Sequence, residues 1–321
     1  MPSLDDLPAQ RWENPVIYNF PPGFLKRQLP NKVLKIVGKG DLAELRQLLA
    51  EHPEFLNKRG GHNRTLLWEA VRRGKLASVH WLIEQGADVD ATGCYNGESY
   101  LQLTPYCAAV YYRRSAIADY LAPHAAPPDI FRAAFLGDQA QIARELAAQP
   151  DLLNAEDPHD PTYYVPLLAF AIVGGHAALV EFLLERGAQV PIYSAQLINL
   201  AARDARLDIL DLLVTHGADI RVVDGGIAVN IDDLNVLRTL LEHGASPSKP
   251  GKNRQTPLIY LLRGDKGEHP DKIRLLLEYG ADVNAADEHG KTALDHARES
   301  GYAQIIPMLI ERGAVSGANR L

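Results

Sequence analysis

The stretch from Gly280 to Gly313, GADVNAADEHGKTALDHARESGYAQIIPMLIERG, decides the fold. It opens on Gly280-Ala281-Asp282 and ends on Gly313-Ala314, so the mark that begins it returns at its close. A polar turn with Asp287 and Gly290 leads to Thr292 and the small apolar run Ala293, Leu294 and Ala297. A second apolar segment then runs to Glu311-Arg312. This is the pattern of two short helices joined by a turn.

The closing mark recurs along the chain. Gly86-Ala87-Asp88, Gly187-Ala188-Gln189, Gly217-Ala218-Asp219 and Gly244-Ala245-Ser246 all follow a segment with helical periodicity. Glycine there ends a helix in the left-handed conformation at no Cβ penalty. Two other copies end on proline instead, at Gln149-Pro150 and His52-Pro53, and proline stops a helix by removing a donor. A weaker mark falls at His124-Ala125-Ala126. Aligned at 53, 86, 125, 150, 187, 217, 244, 280 and 313, the marks have a mean spacing of about 32.5 residues.

Motif and period together resemble the ankyrin repeat family, whose unit is about 33 residues. Asp287, Gly290 and Thr292 sit where that family has D-x-x-G-x-T, and Ala293, Leu294 and Ala297 follow its P-L-H-x-A line. Thr65-Leu66-Leu67-Trp68-Glu69-Ala70, Thr104-Pro105-Tyr106-Cys107-Ala108-Ala109, Pro166-Leu167-Leu168-Ala169-Phe170-Ala171 and Thr256-Pro257-Leu258 repeat that line. The resemblance implies an all-α ankyrin-repeat solenoid of about nine helix-turn-helix repeats, several of them degenerate. Threonine, or Asp129 in repeat four, is expected to cap each first helix. Leucines of the second helices are expected to fill the space between repeats. In repeat seven only the segment Asp232 to Glu242 reads as a helix. Residues 1–29, with five prolines, read as an irregular N-terminal extension that caps the array. The repeats occupy 30–315, and 316–321 form a tail.

Composition narrows the function. The chain has 321 residues and a formal net charge of −7, which argues against a nonspecific nucleic-acid binder. The early acids of the N-terminus and its lack of an apolar core do not suit a secretory signal. Pro161 to Val180 is free of charged side chains, but Gly174-Gly175 and His176 interrupt it, so helix-turn-helix is expected rather than a membrane span. Cys94 and Cys107 have no metal-ligand spacing and read as free thiols in a reducing cytoplasm.

Catalytic motifs are not evident. Gly290-Lys291-Thr292 lacks the earlier glycine of a phosphate loop, since position 285 is Ala285. Asp157, His159 and Asp160 sit among prolines and read as solvated turn residues rather than metal ligands. No cofactor and no metal is expected, and the chain is read as a binding protein rather than an enzyme.

The family resemblance implies that partners bind at loop tips and at the two first-helix residues before the turn. Transferred residue by residue, those positions are Arg72 and Arg73, Tyr111 and Tyr112, Phe135 and Leu136, and Val173 and Gly174, then Arg203-Asp204, Arg263-Gly264 and Glu299-Ser300 in later repeats. The apolar middle, from Tyr111 to Val173, with Arg72 and Arg73 at its end, is the part that stands out. With Arg113, Tyr100 and Tyr163 it forms the expected partner surface: an exposed apolar band flanked by arginines. Contiguous exposed apolar patches mark interaction sites, and tyrosine and arginine are enriched in hot spots. Tyr95 and Tyr164 are expected at adjacent loop tips. The expected partner is a protein, with an acidic segment favoured by Arg72, Arg73, Arg113 and Arg114. Two alternatives stand beside this. The long loops Ala91 to Leu103 and Ala155 to Val165 fold over the band themselves, or an enzyme or small-ligand site occupies the groove of repeats three to five. Because a single repeat buries too little to stand alone, deleting repeat nine should lower the melting temperature and expose dye-binding apolar surface. An unchanged melt would count against a stacked array.

Overall fold

The computed structural model describes residues 31–95, 101–158, 164–223, 233–263 and 267–320. Over these residues the chain is a series of short helices in pairs, the expected all-α repeat architecture. The first pairs are α1 (Asn31–Lys39) with α2 (Leu42–Glu51), α3 (Leu66–Arg72) with α4 (Leu76–Glu84), and α5 (Pro105–Tyr111) with α6 (Ser115–Leu121). Then come α7 (Ile130–Leu136) with α8 (Gln139–Ala148), α9 (Leu167–Gly174) with α10 (Ala177–Glu185), and α11 (Ser194–Arg203) with α12 (Leu207–Thr215). The series closes with α13 (Leu234–Glu242), α14 (Pro257–Leu262) with α15 (Pro270–Glu278), and α16 (Ala293–Glu299) with α17 (Ile305–Glu311). The first helix of repeat seven and the extension 1–29 lie outside the described residues. Among the described residues, extended pairing amounts to β1 (Gly93–Cys94) against β2 (Gln102–Leu103), antiparallel, and two isolated bridges.

Two compact units, Met1–Pro127 and Pro128–Leu321, divide the chain. Within the first, α1, α3 and α5 pack side by side and α4 packs on α6. Within the second, α7, α9 and α11 form one row, and α10 packs on α12. In the same unit α14 packs on α16, and α15 packs between α13 and α17.

The local chemistry of each pair follows from its sequence. Thr65, Thr104, Asp129 and Thr256 each accept the N–H three residues on, at 3.2, 3.3, 2.9 and 3.4 Å. Thr292 makes a full capping box with Asp295. Each such cap stabilises its helix by about 1 kcal/mol. At the other end, Gly86, Gly187, Gly217, Gly244, Gly280 and Gly313 all have φ between +79° and +92°. A Cβ at Gly187 would meet nothing within 4 Å, so conformation and not space selects glycine there.

Adjacent repeats are latched by one polar bond. The N–H just after the Gly-Ala turn donates to a side chain of the preceding repeat. Asp88 donates to Asn57 Oδ1 at 2.8 Å, Gln189 to Asn154 Oδ1 at 2.8 Å, Asp282 to Ser248 Oγ at 2.7 Å, and Val315 to Asn284 Oδ1 at 2.8 Å. Asn57 and Asn284 also donate back to Gly86 O and Gly313 O. The stretch 161–180, free of charged side chains, resolves at its described end into α9, a left-handed Gly175 and α10. No helix among the described residues is long and apolar enough to cross a membrane.

The last residues are tied to repeat nine. Ser316 Oγ and the Gly317 N–H donate to Asp295 at 2.6 and 2.8 Å, and Thr292 donates to the same carboxylate through N–H and hydroxyl. Burial alone would raise the Asp295 carboxyl. The four hydrogen bonds outweigh it and hold the group at about 2. A depressed carboxylate contributes stability above its unfolded value and loses it as pH falls through the folded one. Asp295→Asn should therefore lower unfolding free energy by about 1 kcal/mol near neutral pH, allowing for solvent screening. The difference from the parent should shrink as pH falls from about 4 toward 2. Urea unfolding across that range checks it, and a pH-independent difference would refute the assignment.

Candidate functional site

The described part of the expected surface in the first unit is built from the ends of α3 and α5. Its base is a carboxylate, Glu69, only 4% exposed. Arg72 clasps it with two bonds, Nε to Oε2 at 2.8 Å and a terminal nitrogen to Oε1 at 2.5 Å. Arg73 Nε donates to Oε1 at 3.0 Å, and Arg64 lies 3.7 Å from Oε2. Burial would raise the Glu69 carboxyl, but the hydrogen bonds from Arg72 and Arg73 prevail and hold it below its usual range. Burial lowers the Arg64 guanidinium, with Arg72 adding to the effect. One buried negative charge thus faces three arginines. The Arg73 side chain remains 51% exposed, while Arg64 is buried over the Trp68 ring at 4.8 Å.

The long loop before α5 is stapled to the preceding repeat. Trp68 Nε1 donates to Leu103 O at 2.8 Å, Arg64 Nε to Cys94 O at 2.9 Å, and Asn63 Nδ2 to Gln102 Oε1 at 2.7 Å. These bonds satisfy the Cys94 and Leu103 carbonyls and the Gln102 side-chain oxygen, and Tyr95 follows inward. Tyr95 is 1% exposed, so it is not a loop-tip residue as expected from sequence. Its ring meets Tyr111 edge-on at 4.8 Å, and its carbonyl accepts the Tyr112 hydroxyl. Tyr111 meets Tyr112 at 5.1 Å, and Trp68 meets Tyr112 at 6.1 Å. Tyr111 and Tyr112 are consequently half-buried, and burial pushes the Tyr112 phenol up. This loop does cover part of the expected band.

Beyond them the backbone turns through Arg113, at φ +55°, where Gly74, Gly137 and Gly175 make the same turn in neighbouring repeats. Arg113 and Arg114 are exposed. Arg114 reaches back and donates to Arg72 O at 3.4 Å, over the left-handed turn at Gly74. A cation at a helix C-terminus is favoured by the exposed carbonyls there. The same position in the second unit holds His176, whose Nε2 lies 2.9 Å from Phe135 O.

The second unit corrects the sequence reading at two positions. Phe135 and Val173 are each 2% exposed, so the expected exposed apolar band does not form there and they cannot line a groove. The cause is the close approach of α7 and α9: a Cβ on Gly174 would lie 2.2 Å from Phe135 O. With backbones that near, Phe135 and Val173 fill the interior, and Phe131 meets Phe170 at 5.4 Å. Leu136 is half-buried, as is Tyr164. Tyr100 and Tyr163 lie outside the described residues.

Asp157 is also a correction. It is buried, not a solvated turn residue, and accepts two bonds from Arg132 at 3.0 and 3.2 Å. Arg132 in turn lies over Phe170 at 5.2 Å. The pair ties the second long loop to α7. Sequence reasoning missed it, although Arg132 is the one charged residue within Ile130–Leu136. Among the described residues no group of three or more His, Cys, Asp or Glu is placed to hold a metal ion.

Comparisons with known proteins agree with the helix pairing. A family model for ankyrin repeats in three copies matches residues 226–319, and a single ankyrin repeat model matches 62–94. Ankyrin repeat and SOCS box protein 6 of Homo sapiens is 34% identical over 149 residues, 41% of this chain. That match spans 35% of the human protein's own length. Putative ankyrin repeat protein YahD of Escherichia coli strain K12 is 28% identical over 200 residues, 59% of this chain and 97% of its own. The crystal structure of an ankyrin repeat domain from Acinetobacter baumannii AYE superposes with a TM-score of 0.51 at 27% identity, covering 58% of this chain and 98% of that one.

Glu69 is the charge that holds the arginines of the first unit together. Removing one member of a buried charged cluster leaves the rest uncompensated. Glu69→Gln, which keeps shape but not charge, should destabilise the protein by about 3 kcal/mol. Arg221→Ala, which removes an exposed ion pair with Asp219, should leave the urea midpoint where it was. Equal effects of the two substitutions would contradict the role given to Glu69.

Proposed function

The chain is an ankyrin-repeat protein, and we propose that it binds a partner protein through the ends of α3 and α5 in the first unit. Ankyrin repeats generally mediate protein–protein interaction, which supports a binding role over a catalytic one. The observation that carries the reading is a fixed frame with accessible hot-spot side chains. Arg73 and Arg113 reach solvent beside half-exposed Tyr111 and Tyr112. The Glu69 bonds and the stapled hairpin hold that frame in place before any partner arrives. Preorganised side chains lose little freedom on binding, and tyrosine and arginine supply much contact per residue. Whether the bound partner is thereby recruited, inhibited or neutralised depends on the partner. The setting proposed is the cytoplasm.

Site-specific photocrosslinking in the native cell tests the face. A benzophenone amino acid replacing Arg73 or Arg113 should trap a discrete partner that mass spectrometry identifies. The same group replacing Arg238, exposed on α13, should not trap it. Crosslinks from Arg238 alone, or none from Arg73 and Arg113, would sink the proposal.

A further inference from the structure

Charge is unevenly divided along the chain. Residues 1–127 carry 15 Lys and Arg against 13 Asp and Glu, whereas residues 128–321 carry 18 against 27. Within the first unit the excess is concentrated. Arg64, Arg72 and Arg73 share the single carboxylate of Glu69, and Arg114 reaches into the same cluster through Arg72 O. Arg113 stands next to it, exposed, its side chain in no ion pair among the described residues.

Like charges held this close repel, and partial burial weakens the screening that would relieve them. Glu69 spends both oxygens on the arginines, so it leaves the cluster cationic. Arg73 bonds Glu69 through Nε alone, and its side chain is 51% exposed, which leaves its two terminal nitrogens to donate to a group from solvent. A second acidic group arriving from outside meets unpaired N–H donors in the geometry that suits a carboxylate. The tyrosine pair just before Arg113 is half-buried, so it keeps some aromatic area in solvent and has little rotamer freedom to lose.

Resting on the partner-binding reading above, we infer that the surface formed by Arg73, Arg113, Arg114, Tyr111 and Tyr112 takes an acidic, glutamate- or aspartate-rich segment of a partner protein. Single-stranded nucleic acid, which also meets arginine and aromatic side chains, is the competing occupant. The chain's net charge of −7 disfavours it.

The full chain is titrated, by fluorescence anisotropy, with a labelled glutamate-rich peptide of about 12 residues and with its glutamine counterpart. A single-stranded oligodeoxynucleotide of similar length is the third probe. The glutamate peptide should bind at least about tenfold more tightly than the glutamine one, and its affinity should fall as salt rises from roughly 50 to 300 mM. Arg73→Gln combined with Arg113→Glu should weaken that binding about tenfold, the glutamine keeping a donor for Glu69. Arg113→Glu alone serves if the double variant melts early, and Arg238→Glu should bind like the parent. Equal binding of the two peptides, unchanged binding by the Arg113 variants, or tighter binding of the oligonucleotide would overturn the inference. A crosslinked partner whose capture survives Arg113→Glu but fails on Tyr111→Ala would leave the binding face standing and remove its acidic chemistry alone.

Discussion

The structure depends on a hydrogen bond that no repeat can make by itself. The N–H of Asp88, Gln189, Asp282 and Val315 emerges just past a helix end, where the helix ladder has run out. Its acceptor is supplied by Asn57, Asn154, Ser248 or Asn284 of the repeat before. Each bond contributes only about 1 kcal/mol, but it recurs and always joins neighbours. Apolar packing between second helices, such as Leu183, Leu213, Leu240 and Leu276, supplies the larger energy without direction. The latch supplies the register. A repeat is therefore complete only when its predecessor is folded, which is the energetic meaning of a stacked array.

Features fixed within one repeat were legible in the sequence. A threonine or aspartate before an apolar run caps the helix that follows it, and the glycine after the second helix takes positive φ, because both choices are made by the local backbone. The latches were visible only as unremarked Asn and Ser side chains, since their partners lie 31 to 35 residues away. Phe135 and Val173 failed for a related reason. Their position in the repeat is usually solvent-facing, and what decides otherwise is the distance between α7 and α9. Gly174, placed where a bulkier residue would hold the helices apart, was the signal available. Asp157 and Tyr95 sit in long loops, where sequence suggests solvation. Arg132 and the Trp68–Arg64 staple turn those loops inward instead.

The same staples explain why the surviving part of the candidate surface lies in the first unit. At Tyr111 and Tyr112 the hairpin takes away part of the aromatic area and leaves both residues half-buried, with Arg113 and Arg114 exposed after them. What the sequence presented as one apolar band is, in this unit, a mixed surface. A buried carboxylate orders the arginines, the buried Tyr95 orders the half-buried Tyr111 and Tyr112, and the left-handed turn sets an exposed Arg113 directly after them.

Charge acts locally in such a molecule. At physiological ionic strength the field of a surface charge decays over about 8 Å, so the potential beside Arg73 is set by the charges grouped around it and not by the chain's total. A total of −7 is informative about bulk attraction to polyanions, which requires many phosphate contacts at once. It says little about a few arginines grouped over one carboxylate. The arginine cluster is partly desolvated, and its repulsion is already borne by the fold through Glu69. In the binding proposed above, an arriving carboxylate would relieve an unfavourable arrangement as well as form new bonds. That makes recognition sensitive to the sign and placement of a few side chains, while the repeat array beneath keeps the same fold whichever residues it displays.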